Sequence, residues 1–438
     1  MLPILIIGKR FLKILLSAGC AVLLLCGNLT AGERLELEAR EVGGIRRHEP
    51  VSALITLPQA VGRNTPFRLV LDGDPVAAQF RPAGDGEQTA QWWIDFSTIL
   101  GPFDRHTYVV EYGRDVPIIP ESARGHVLRT VGETFVVENA PYITWTIPRD
   151  LAGLLRSVDF PPNEHLRPDS PGLVLRDRAG KRYPLGGAGV ESRVVRSGTR
   201  AVALRFIGGI EAGPLAGVRW TTDLIFPSPV SWVEVVCTLD DREGKVAAQG
   251  IELNMALDRP APNAPTLVDI GAWTQVYAAL SQDEIVEIRA APGPATTIVD
   301  GRAKNGAGVH GAGGRCGVFR GRPDKLVAVA TNYSDGPDDG TLRPLTSAPE
   351  GWLHVMDRKR CLALAIDQFA RRADERLTAT ADGAVRAWRE YPEGAAGDVP
   401  PAKSLRCWLH FVHYPPQFSA ATSPRMMQTP PEVRLKAR

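Results

Sequence analysis

Short runs rich in Val, Thr, Trp and Phe, cut off every few residues by Gly, Pro, Asn or Asp, make up most of this chain; "RVVRSGTRAVALRFIGGI", "RWTTDLIF", "SWVEVVCTLDD" and "KLVAVATNYS" are typical. Such residues suit a pleated, half-buried surface and the interruptions mark tight turns, so the pattern predicts packed antiparallel sheets. Long amphipathic helices are missing. The best short candidates are "DLAGLLRS" and "DQFARRADERL", the second with Phe369, Ala373 and Leu377 at helical spacing. The expected class is all-β, since sandwiches and barrels account for the pattern better than any α/β scheme does.

The first residues are expected to stand apart from the fold. Lys9, Arg10 and Lys13 precede the apolar run "ILLSAGCAVLLLCG", and Thr30, Ala31 and Gly32 follow, which is the layout of a secretory signal peptide over residues 1–32. The run is too short to span a bilayer comfortably, so the mature protein is expected in a secreted or periplasmic location without stable membrane insertion. A lipoprotein cleavage at Cys20 would cut the apolar core in half. The formal charge of the whole chain is +2, and losing three basic residues and no acidic ones brings it to −1. Nothing in that balance steers the chain to nucleic acid or anionic lipid.

Turn spacing divides the rest. Residues 33–118 hold "PVSALITLP", "FRLVLDGDPVAAQF", "QWWIDFSTI" and "TYVVEYG", four or five strands that end near the proline-containing linker "DVPIIPESARG". Residues 119–414 read as one large antiparallel β-sandwich, and residues 415–438 as a Pro-rich, poorly ordered tail. Cys237, Cys316, Cys361 and Cys407 remain after the signal; in an exported chain they permit two disulfides, and they equally suit four buried thiols.

Familiar catalytic signatures are absent: there is no G-x-S-x-G and no H-E-x-x-H, and the Gly-rich run "NGAGVHGAGGRCG" lacks the Lys-Ser/Thr of a phosphate loop. That run reads as a surface loop with His310 at its tip. The acidic turn carrying Asp335, Asp338 and Asp339 fails the EF-hand spacing, and no cysteine pair has C-x-x-C spacing, so no metal and no cofactor is expected.

Strand alternation gives the candidate site residues. In "GWLHVMDRKRCLALAI", Trp352, His354 and Met356 share one side of a hairpin, and Leu362, Leu364 and Ile366 mark its core side. In "SLRCWLHFVHY", Arg406, Trp408, His410 and Tyr414 share one face, a combination that suits a sugar, since an indole stacks on the C–H face of the ring and polar groups reach its hydroxyls. Trp92 and Trp93 point to opposite faces of one strand, so at most one lines a groove; Asp95, on the face of Trp93, is either a ligand or a residue of the wet face.

Several of these stretches carry a resemblance. "GIRRHEPVSALITLP", "VAAQF", "WWIDF" and "TYVVEYG" resemble the N-terminal RIFT-barrel domain of the exo-rhamnogalacturonan lyase (YetA-like) family, and "TTDLIFPSPVSWVEVVCTLDD" with "GWLHVMDRKRCLALAIDQFARRADERLTATADGAVRAWREYP" resembles its central β-sandwich. The resemblance implies a small RIFT-type β-barrel followed by a large sandwich, and a carbohydrate context. It departs from the family in having Gln368 and Phe369 where Phe-Trp is usual, and no helical periodicity from which to build the family's toroid. No catalytic residue is transferred by it.

The expected function is that of an exported carbohydrate-associated protein that binds or helps process acidic, pectin-like polysaccharide. A polysaccharide lyase is the alternative. β-Elimination on a uronic acid needs a cation against the carboxylate, a base for the C5 proton and an acid for the leaving oxygen. Arg406, His410 and Tyr414 are assigned those roles in that order, with Trp408 and Trp352 as stacking surfaces and His354 with Arg358 as a second polar set. A non-catalytic structural or protein-binding module is a further alternative, favoured if the chain covers its own aromatic faces.

Overall fold

The computed structural model describes residues 32–119, 124–240, 248–258, 265–271, 276–292, 296–299, 302–305, 314–331, 350–357, 359–369, 374–391, 403–413 and 424–436. The chain is all-β, as expected, and its strands pair antiparallel throughout the two largest sheets. Nearly all of the expected signal peptide, His310, the Asp335–Asp339 turn, Arg358 and Tyr414 lie outside the described residues.

Two large sheets form the sandwich. The nine-stranded sheet runs, edge to edge, Glu191–Arg196, Ala201–Gly209, Arg219–Pro227, Trp232–Asp240, Ser404–His413, Arg360–Ile366, Trp352–Met356, Thr266–Ile270, Val276–Leu280. The eight-stranded sheet runs Arg182–Pro184, Gly172–Asp177, Ala248–Ala256, Ala384–Glu390, Glu375–Thr380, Ile285–Pro292, Gly314–Arg322, Lys325–Thr331. Period-2 alternation sends Leu362, Leu364, Ile366, Leu409 and Phe411 of the first sheet into the same core as Ile251, Leu253, Leu377, Val385 and Ile288 of the second. Each such side chain contributes roughly 1.5–3 kcal/mol by leaving water. A smaller sheet, Val127–Val131 to Asn163–Glu164, adds Phe135, Val137, Trp145 and Val158 to that core.

The N-terminal strands have their own core. A five-stranded sheet (Glu432–Leu435, Glu33–Arg40, Arg105–Tyr112, Phe67–Leu71, Asp74–Val76) and a three-stranded one (Arg47–Gly62, Gln88–Leu100, Ala78–Pro82) enclose Leu37, Ile55, Leu69, Trp92, Ile94, Phe96 and Val110. Trp92 is thus the core member of its pair. The opposite face meets the sandwich: Arg196 places its guanidinium 4.2 Å from the Trp93 ring centroid and pairs with Asp95 at 3.3 Å, and Gln79 donates to the Ala201 carbonyl at 3.1 Å while accepting from the Arg200 amide. Asp95 is therefore neither a wet-face residue nor a ligand but half of a buried pair, and burial pushes its carboxyl up despite the opposing charge of Arg196.

Three expectations change. "DLAGLLRS" is a series of turns, with Leu151 and Leu154 at φ of 61° and 68°, because both leucines plug the core from a left-handed backbone that a helix does not allow. The end of "DQFARRADERL" is strand Glu375–Thr380, whose Leu377 lies in the sandwich core; strand pairing with Ile285–Pro292 overrides the helical spacing. Residues 424–436, expected in a poorly ordered tail, form helix Pro424–Gln428 and strand Glu432–Leu435. That strand pairs Leu37 with Leu435 and Ala39 with Val433, its apolar residues close the N-terminal core, and Arg434 and Lys436 pair with Glu38 and Glu36.

Candidate functional site

The aromatic faces singled out in the sequence do assemble, but beneath the surface. Cross-strand register sets Ala365 between Trp408 and Trp352, and His410 between Ala363 and Trp232. Trp232, Trp352, Trp408 and Ala365 then form one small apolar cluster closed by Met427 of helix Pro424–Gln428. Trp408 is 2% exposed and His354 fully buried. The hairpin that carries Trp352 is buried on both faces, rather than having one wet side.

Electrostatics follow from that burial. Burial drives the His410 imidazole down to about 3, helped by nearby His354, so it is neutral at physiological pH; its Nδ1 has no hydrogen-bond partner among the described residues, and Trp232 stands edge-on at 5.6 Å. His354 is also held neutral by burial, with Asp269 at 3.9 Å pulling the other way. Arg406 is ion-paired to Glu234 at 2.6 Å, with its guanidinium 5.0 Å from the Trp408 ring. The expected roles for Arg406 and His410, and the stacking roles of Trp408 and Trp352, therefore do not hold: the cation is engaged, and the imidazole and indoles are shut away from any polymer. Trp352 spends its N–H on Glu350 at 2.9 Å, and its ring lies so close to Gly271 that a Cβ there would sit 1.8 Å from it.

Cys237, Cys316, Cys361 and Cys407 are all buried thiols. Burial pushes the Cys237 and Cys316 thiols to about 12 and those of Cys361 and Cys407 upward as well, which makes them inert small hydrophobes rather than nucleophiles.

An open polar hollow of about 220 Å³ lies instead on the outer face of the eight-stranded sheet. Register builds it in two rows. Glu252, Trp388, Arg376 and Arg289 stand side by side on four neighbouring strands, and Asn254, Arg386, Thr378 and Glu287 form the next row. The sequence places them there by alternation: in "ERLTAT" and "AVRAWRE" the residues between these polar ones, Leu377, Ala379, Val385 and Ala387, are core. Gly250 leaves room for the floor, since a Cβ there would meet the Trp388 ring at 2.7 Å and the Arg389 carbonyl at 2.3 Å.

The charges of this hollow are only partly spent. Glu252 accepts from Arg176 at 2.7 Å and Arg182 at 2.5 Å; Glu287 pairs with Arg289 and accepts from Thr378 at 3.5 Å; Gln249 donates to Glu390 at 3.4 Å. Arg176 also lies 4.9 Å over the Trp388 ring. Arg376 and Arg386 are exposed and have no ion pair among the described residues. Two free guanidiniums flanking a hydroxyl and the edge of an indole can take a planar anion in bidentate fashion and donate to sugar hydroxyls. Sequence reading passed over these residues; the signal that could have found them is the Trp on the polar face of an alternating strand. A second hollow of about 390 Å³, between residues 184–191 and 207–220, is lined largely by glycine backbone over the buried Trp220.

No family model and no curated protein matches the sequence. Two solved structures from Enterococcus faecalis share the fold: a protein in glycosyl hydrolase family 38 and an alpha-mannosidase, each with a TM-score of 0.50 and 10% identity. Both align to 92% of this chain, which covers 48% and 46% of theirs. The chain thus spans about half the length of these proteins, and at that identity the likeness is one of fold.

Proposed function

We propose that the chain is an exported, carbohydrate-binding β-sandwich protein, and that the outer face of its eight-stranded sheet takes an acidic glycan. The observation that carries this reading is the pair Arg376 and Arg386, without carboxylate partners among the described residues, in a hollow whose Glu252 and Glu287 are already matched to Arg176, Arg182 and Arg289. A uronate carboxylate supplies the missing charge, while Gln249, Thr378 and Glu390 are placed for hydroxyls. Fold likeness to a protein in glycosyl hydrolase family 38 and to an alpha-mannosidase supports the carbohydrate setting, the leader-like N-terminus supports export, and the lyase-like sequence stretches point to pectic chains. Binding of rhamnogalacturonan and polygalacturonate, measured by affinity electrophoresis against neutral galactan, tests the proposal; equal retardation by acidic and neutral polymers, or none by either, overturns it.

A second reading, a structural module without a sugar ligand, is favoured by one specific observation: the chain covers its own tryptophan face with Met427. Failure to bind any polymer of the panel in a folded sample would select it.

A further inference from the structure

One segment ties the two halves of the molecule together. Helix Pro424–Gln428 lies on the tryptophan cluster, where Gln428 donates to the carbonyls of Ile366 at 2.7 Å and Gly351 at 3.1 Å. Thr429 follows and is gripped by Arg47 of the N-terminal sheet, whose guanidinium donates to the Thr429 carbonyl at 2.6 Å and hydroxyl at 3.1 Å. Strand Glu432–Leu435 then joins Glu33–Arg40. The segment is a strap across the sandwich and the N-terminal sheets.

Its anchor carries an unbalanced charge. Arg47, with a fully buried side chain, faces two carboxylates, Glu41 and Glu49, each at 2.8 Å. Glu41 is well provided for, accepting amide N–H groups from Gly43, Gly44 and Phe103. Glu49 has Arg47 alone, and its Oε1 is buried with no partner among the described residues. On the neighbouring strand the residue opposite is Thr98, and the strap contributes the oxygens of Thr429 and Met426 to this cluster. One guanidinium cannot neutralise two carboxylates with carbonyl oxygens aimed at the same spot, so a proton belongs on Glu49.

We propose that Arg47, Glu41 and Glu49 form a proton-operated latch: with Glu49 protonated the strap 424–435 stays closed over the tryptophan face, and when Glu49 gives its proton to solvent the strap is released. Burial pushes the Glu49 carboxyl up to about 7, from an ordinary 4.5, against the pull of Arg47. The carboxylate regains water when the strap lifts and returns toward its ordinary value. Closure and protonation are therefore linked: closure is strongest below pH 4.5 and weakens as pH rises through 7, by at most about 300-fold in the closed-to-open ratio. Opening uncovers Trp352 and Trp408, which Met427 of the closed strap covers.

Hydrogen–deuterium exchange of the full chain, read on peptides from 404–436 at pH 5.5 and 8.5 and corrected for intrinsic exchange with an unfolded peptide, tests the latch. The expected result is at least a tenfold loss of protection in 424–435 at pH 8.5 in the wild type. Glu49→Gln, which mimics the protonated acid, should stay protected at both values. The same loss in Glu49→Gln as in the wild type overturns the latch; so does a flat wild-type profile, which needs no variant at all.

Discussion

Arg176 lies 4.9 Å over the ring of Trp388 while its Nη2 donates to Glu252 at 2.7 Å, so the indole face that a sugar would stack on is already occupied by a guanidinium held from the side. On the proposed reading, a sugar at this site meets the rim of the indole and the polar groups around it. Recognition there depends on charge more than on stacking. Removing the cover should change that balance: Arg176→Ala is expected to strengthen neutral-galactan binding several-fold while leaving the melting temperature within about 3 °C, because partly exposed pairs are worth about 1 kcal/mol or less. Isothermal titration and a thermal melt check both parts.

On the proposed reading, Arg376 and Arg386 carry the acidic specificity. Each single alanine variant is expected to weaken polygalacturonate binding about 5–10-fold, in line with about 1 kcal/mol for a charge-assisted contact at an exposed site. The double variant should bind acidic and neutral polymers alike. Raising the salt should weaken the wild type more than the double variant.

Acid should unfold the chain through its histidines. Burial holds His126 at about 4 and His410 at about 3, both below the ordinary 6.5. The unfolded chain thus takes up these protons first; the stability is fully present above about pH 6.5 and is lost as pH falls through 4 and 3, about 3 kcal/mol for His126 and about 5 for His410. Glu49 runs the opposite way, its contribution being lost as pH rises from 4.5 through about 7, but below 4.5 it no longer offsets the histidines. Denaturant midpoints measured between pH 7 and 3.5 should fall, and His410→Gln should make the fall shallower by up to one proton.

In protein from which residues 1–32 have been removed, Cys237, Cys316, Cys361 and Cys407 should resist a water-soluble disulfide reagent in the native state and react in denaturant, each releasing one equivalent. Their burial and raised thiol values both favour this outcome. A stoichiometry below four in denaturant, without reductant, would show that disulfides form.

The β class was legible because the evidence for it is local. Alternating runs such as "LRCWLHF" and "CLALAI" specify strands wherever they go, and Leu362, Leu364 and Ile366 were core from the pattern alone. What covers the other face is not local. Trp408 and His410 alternate as a wet row would, yet Met427 and Trp232 close over them from distant parts of the chain. The hollow on the opposite sheet posed the same difficulty in reverse: Glu252, Arg376 and Glu287 come from three separate strands and meet only through register. The strap was missed because its prolines and short length mask two local signals, Met426 and Met427 in the helix and alternating Val433 and Leu435 in the strand.

The pairing of Glu33–Arg40 with Glu432–Leu435 also constrains how the molecule is made. Strand Glu33–Arg40 emerges from the ribosome long before its neighbour Glu432–Leu435 exists, and it must keep one edge open until that neighbour has been made. Its core residues Leu37 and Ala39 gain their last contacts only then. Closing so long a loop is slow and rewards nothing until it is complete, so the N-terminal sheets should become rigid after the sandwich even though most of their strands are synthesised before it.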